Sequence, residues 1–96
     1  MIVAIFARTL RDGVSLEQFV QAWAPESADP YPAQVEIAVD PQNGRSVLTI
    51  VRFDGLMSDF EAAMPRLIHP ESHRRLDEVV ASTSLEGVYE SVDVTV

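Results

Sequence analysis

The two histidines of this chain stand four residues apart, in the segment His69-Pro70-Glu71-Ser72-His73. Imidazole has the ordinary pKa nearest neutrality, so His69 and His73 are the first candidates for moving a proton. Asp77 follows His73 by one helical turn. There its carboxylate can hold the His73 ring in one tautomer, an arrangement of base and orienting group. The same spacing also describes an ordinary pair at a helix surface. His69 and His73 have the separation of a helical metal pair as well. Pro70 starts the helix after His69, however, and neither Glu71 nor Asp77 is marked as a third ligand. No metal and no bound cofactor is therefore expected.

Four further side chains are candidates for holding a small molecule. Trp23 closes an apolar helical stripe and either completes a core or stacks on a ligand. Tyr31 lies in a proline-rich segment, where it either roofs a pocket and donates a phenolic proton or anchors the segment. Arg8 and Arg52 sit at the ends of two apolar strands. Each is suited to an acidic group on a ligand or to an ion pair across an interface. No phosphate loop, dinucleotide fingerprint or Ser-His-Asp set is present.

Hydrophobic periodicity gives the elements that must position these groups. Met1–Leu10 reads as a strand, and Arg11-Asp12-Gly13 as a turn in which Gly13 can take positive φ. Ser15 and Gln18 form a capping box for a helix over Ser15–Trp23, with Leu16, Phe19, Val20 and Trp23 as its stripe. Pro25 stops that helix. Pro25–Ala33 is an irregular connection able to act as a flap. Alternation predicts a half-buried strand at Gln34–Asp40, a hairpin turn with Asn43-Gly44 inside it, and a strand over Arg45–Phe53. Ser58 and Glu61 predict a second capped helix with Phe60, Ala63, Met64 and Leu67 on its stripe, interrupted at Pro65 or Pro70. A further helical stretch carries Leu76, Val79 and Val80 to Gly87, and Val88–Val96 is the closing strand.

Ninety-six residues allow one domain, residues 1–96, with a modest core. The net charge of −8 disfavours phosphate backbones, so nucleic acid is not an expected partner. The chain has no cysteine, which excludes disulfides and thiolate metal sites. No apolar run is long enough for a signal or a membrane span, so the expected location is the cytoplasm.

The first and third strands are apolar on both sides, whereas the second and the last alternate. Strands covered on both faces belong inside a sheet. Two right-handed β-α-β units then give a ferredoxin-like βαββαβ fold, class α+β, with antiparallel order 4-1-3-2. Both helices cover one face. The other keeps an apolar centre with a polar rim, an unusual surface for a monomer. The expected cover is the same face of a second copy on a two-fold axis.

With that architecture, two stretches support a resemblance. Arg11-Asp12-Gly13-Val14-Ser15-Leu16-Glu17-Gln18-Phe19, ending at Trp23, resembles the loop and first helix of EthD-type proteins. His69-Pro70-Glu71-Ser72-His73 resembles the segment that opens the last helix in several families of the dimeric α+β barrel superfamily, including stress-responsive barrel proteins and antibiotic-biosynthesis monooxygenases. The resemblance implies a homodimeric barrel. It also implies activities such as cofactor-independent oxygenation, polyketide ring closure, isomerisation or haem chemistry. The histidine usual after the EthD tryptophan is missing, since Ala24-Pro25-Glu26-Ser27-Ala28 follow Trp23, and no role resting on it carries over.

Two readings result. One is a small cofactor-independent enzyme, monooxygenase-like or cyclase-like, acting on an aromatic or polyketide-like molecule between helices and sheet. His73, Asp77 and His69 would supply acid–base chemistry, and Trp23, Tyr31, Arg8 and Arg52 the binding surface. The other is a non-catalytic homodimer that binds a metabolite or fills its pocket with side chains. Fold likeness alone does not choose between them.

Overall fold

A computed structural model describes residues 1–25 and 30–95. Its elements are β1 (Ile2–Leu10), α1 (Leu16–Trp23), β2 (Gln34–Asp40), β3 (Asn43–Phe53), α2 (Met57–Leu67), α3 (Pro70–Val79) and β4 (Val80–Glu90). The middle of the Pro25–Ala33 connection, residues 26–29, and Val96 of the expected closing strand lie outside the described residues. The sheet is antiparallel in the order β2-β3-β1-β4, the order read from strand polarity. No helix among the described residues is long and apolar enough to cross a membrane.

Strand parity decides which side chains meet the helices. Ile2 and Ala4 pair with Phe53 and Val51, and all four are buried with Phe60 and Leu67 of α2. A second cluster joins Leu10 and Val47 to Phe19 of α1, with Leu76, Val79 and Val80 packed against it. Odd positions of β1 therefore face the other way. Ile5 opposes Ile50, Ala7 opposes Leu48 and Leu85, and Val3 opposes Tyr89. Leu48, Leu85 and Tyr89 are exposed on that uncovered face.

The capping box of α1 forms as its sequence requires. Gln18 N donates to Ser15 Oγ at 3.1 Å and Ser15 N donates to Gln18 Oε1 at 2.8 Å. Gly13 takes φ of 80° in the preceding turn. The buried side of α1 is narrower than the expected stripe. Phe19 and Ala22 are buried, while Leu16 and Val20 are exposed at its edges.

Two local expectations are corrected, and the choice between Pro65 and Pro70 as the interruption is settled at Pro70. The cap of α2 is at Leu56, two residues before Ser58, because Asp59 Oδ2 accepts from Leu56 N at 3.0 Å. That carboxylate stabilises the helix start more strongly than a hydroxyl at Ser58 would. Pro65 does not break α2, which runs on to Leu67 before α3 starts with Pro70 in its first turn. The hairpin turns at Pro41-Gln42, with Asp40 paired to Asn43 and Gln42 N donating to Asp40 Oδ1. Gly44 keeps a negative φ inside β3, so the Asn-Gly signal is not used as a turn.

The largest displacement is at the C-terminal end. β4 begins at Val80 directly after α3, not at Val88, and Val92 and Val94 lie beyond it, three-quarters exposed. Ser82-Thr83-Ser84 pairs along an edge where both sides are wet, so it carries no apolar alternation to betray a strand. Register shifts after Ala7 and Thr9 let β4 follow the twist of β1.

Candidate functional site

Between the helices and the sheet lies an open cavity of about 280 Å³. This is just below the range for small-molecule sites, roughly 300–1,000 Å³. Its floor is the helix-facing side of the sheet, with Ala4, Phe6 and Arg8 from β1, Val51 from β3, and Glu86 and Val88 from the edge strand β4. Met64 and Leu67 of α2 form part of the roof, and Ser72, His73 and Leu76 of α3 continue it. Trp23, Pro25 and Tyr31 close one side. The lining is thus mostly apolar with a few separated polar groups, the usual composition of a small-molecule site.

His69 and His73 both line this cavity. They do so because Pro70 begins α3. His69 is left as the N-cap residue, whose carbonyl accepts from Ser72 N at 3.0 Å and His73 N at 3.3 Å. His69 is half-buried and His73 is exposed at the cavity mouth. Asp77 does not line the cavity, and among the described residues no hydrogen bond joins it to His73. Its backbone carbonyl instead accepts from Arg11 Nη2 at 2.9 Å, which ties the C-terminal end of α3 to the turn after β1.

Trp23 and Tyr31 meet edge to face, ring centroids 5.5 Å apart and planes at 66°. Tyr31 Oη donates to the Leu67 carbonyl at 2.7 Å, so it satisfies the last turn of α2 while its ring lines the cavity. Its proton is committed to that carbonyl. Burial raises its pKa above the ordinary phenol value. The folded state thus holds this proton more tightly than the unfolded chain does. The stabilisation is full below the unfolded pKa near ~10 and is lost as pH rises through the higher folded value. Alkaline titration of native protein should show a cooperative loss of near-ultraviolet signal above pH ~10, with this tyrosine's share absent in Tyr31→Phe. Identical alkaline profiles for the two proteins would remove Tyr31 from the account.

Arg8 and Arg52, paired in the sequence reading, separate in space. Arg8 shares the helix-facing side with Ala4 and Phe6. Its guanidinium lies 4.6 Å from the Phe6 ring centroid, and Nη1 donates to the buried Thr49 hydroxyl at 3.4 Å. Burial lowers its pKa and Glu86 pulls it back up. Arg52 shares the opposite face with Ile50 and Leu48 and pairs with Glu36 of β2 at 2.9 Å. It is not part of the cavity.

Two participants escaped sequence reasoning. Glu86 enters the floor because β4 extends back to Val80 and sets it opposite Phe6. Arg75 turns inward. Its guanidinium donates to the carbonyls of Ala22 at 3.1 Å and Ala24 at 2.9 Å, capping the end of α1 that carries Trp23. Arg74 stays at the surface and pairs with Glu71. Among the described residues no group of three or more His, Asp or Glu side chains is arranged to hold a metal ion.

This fold is shared with proteins of known structure. A candidate antibiotic-biosynthesis monooxygenase from Chloroflexus aurantiacus superposes with a TM-score of 0.70 at 11% identity, covering 98% of this chain and 95% of that one. A dimeric protein of unknown function with a ferredoxin-like fold from Bacteroides fragilis NCTC 9343 gives 0.57 at 22% identity, covering 94% and 95%. A NIPSNAP-domain protein from Burkholderia xenovorans gives 0.64 at 11% identity, covering 96% and 95%. No protein-family model matches the chain, and a search of curated proteins finds no match. At these identities the likeness is one of fold, and at that level it agrees with the dimeric α+β barrel resemblance drawn from the sequence.

Proposed function

We propose that this chain is a homodimeric small-molecule protein of the α+β barrel type, in which each subunit binds an aromatic or polyketide-like molecule between α2, α3 and the sheet. One observation carries the reading: an open, mostly apolar cavity lined by both histidines. The favoured activity is oxygenation or proton transfer on an electron-rich ring without a bound cofactor. A histidine at the mouth removes an acidic proton from the ring system. In the oxygenation case dioxygen then oxidises the anion. One oxygen atom stays as a carbonyl and the other leaves as water with two hydrogens from the substrate. Candidate antibiotic-biosynthesis monooxygenases among the structural neighbours support this class of reaction. The uncovered face of the sheet would seat the second copy, a reading supported by the dimeric neighbour. One such domain per chain, working in the cytoplasm, fits a chain without cysteine.

A specific observation keeps the non-catalytic reading in view. Asp77 does not line the cavity and the Tyr31 proton is bound to a carbonyl, and among the described residues no carboxylate is hydrogen-bonded to either histidine. Oxygen uptake and binding with a 1-naphthol probe separate the two. For an enzyme, His73→Ala should lower turnover by about 100-fold while 1-naphthol still binds, the size expected for losing a general base. The His69→Ala variant reports whether the half-buried imidazole does that work instead. Saturable binding with no uptake and no proton exchange by native protein would leave the binding module standing and remove the enzyme.

A further inference from the structure

The cavity floor holds a cation that no carboxylate among the described residues pairs with directly. Arg8 projects from the same side of β1 as the buried Ala4, into a mainly apolar chamber. A guanidinium has several N–H donors in one plane. Among the described residues Arg8 makes one hydrogen bond, the 3.4 Å contact to the neutral Thr49 hydroxyl, and no carboxylate forms an ion pair with it. The Phe6 ring at 4.6 Å offers its face but cannot accept in the guanidinium plane. Glu86 faces the same cavity from β4 and acts on Arg8 only through space. Its favourable effect is smaller than the opposing cost of burial. Desolvation left uncompensated at a donor-rich planar group is what an incoming anion corrects.

We propose that Arg8 is the anion-recognition residue of this cavity, and that the ligand is a planar aromatic acid bound as its carboxylate or phenolate. The proposal rests on the cavity reading above and names its substrate class. The ligand rings lie against Phe6, Val51 and Trp23, and the anionic group takes the guanidinium edge. Glu86 then acts as a selectivity element. It repels an anion that does not reach Arg8 and leaves neutral ligands without an advantage.

Calorimetric titration with 1-naphthoate and with its uncharged analogue 1-naphthamide tests this. Native protein should bind the acid at least about 10-fold more tightly than the amide, as a charge-assisted bond in a desolvated site requires. Arg8→Met should bring the two probes to within about 2-fold of each other, with amide affinity held, and Arg8→Lys should keep part of the preference. Glu86→Gln changes an exposed residue and leaves the core alone. It should tighten naphthoate several-fold without affecting the amide. Equal affinity of native protein for both probes overturns the assignment of Arg8 while leaving the cavity reading intact. An acid preference that survives Arg8→Met, or that Glu86→Gln fails to raise, also overturns it. Binding of neither probe removes the cavity reading and this inference together.

Discussion

Ile5→Asp should turn the proposed homodimer into single chains. Ile5 opposes Ile50 on β3 and Gly87 on β4, at the centre of the face the helices leave bare. Around it stand Val3, Ala7, Leu48 and Leu85, an apolar patch with the Arg52–Glu36 pair at its rim. A two-fold interface repeats every change, so one substitution buries two carboxylates against apolar partners. An unpartnered polar group moved out of water costs ~2–3 kcal/mol on a conservative scale, and a charge costs more. Two together weaken association by about 1,000-fold or more. The folded subunit is spared, because this face is not its core. Sedimentation velocity at micromolar concentration should show native protein at twice the 10.6 kDa chain mass and the variant at that mass itself. A native protein already sedimenting as one chain contradicts the assembly.

Phe19→Ala should be the most damaging single change to the fold. Phe19 is fully buried between Leu10, Val47 and the end of α3, so its removal leaves a cavity walled by three elements. Phe→Ala in such a site costs about 3–5 kcal/mol. A domain of this size has only about 5–15 kcal/mol to lose. The thermal midpoint should fall by on the order of 20 °C in a circular-dichroism melt. A fall of less than about 5 °C would mean that α1 does not anchor the sheet in this way.

Much of this arrangement is legible in the chain because parity is a strict rule in strands. Val35, Ile37 and Val39 show which side of β2 is dry. The paired register then turns Val47, Thr49 and Val51 inward and Leu48, Ile50 and Arg52 outward. The β1–β3 register, which sets Arg52 opposite Val3 and Arg8 opposite Val47, then separates Arg52 from Arg8. The capping box of α1 was legible because its two side-chain bonds join residues only three apart.

What stayed hidden depends on partners distant in sequence. β4 is an edge strand with both sides wet, so its polar start carries no period, and its pairing with β1 alone reveals Glu86 in the cavity. Arg75 and Arg11 satisfy helix ends across 51 to 66 residues of chain, a relation no local window contains. Asp77 sits at the right distance along the helix from His73 and still turns elsewhere. Four-residue spacing sets proximity along a surface, while the rotamer and the neighbours of α3 decide what each side chain meets.

The central claim is that a planar ring enters between α3 and the sheet. Trp23 is the sole tryptophan, so its indole N–H is a single resolved reporter inside the cavity. A ¹H–¹⁵N correlation spectrum recorded during titration with 1-naphthol should show saturable shifts of that indole and of the Ser72, His73 and Val88 amides, with Ile5 and Leu48 unmoved. Shifts confined to Ile5, Leu48 and their neighbours, with the Trp23 indole unchanged, would contradict the account.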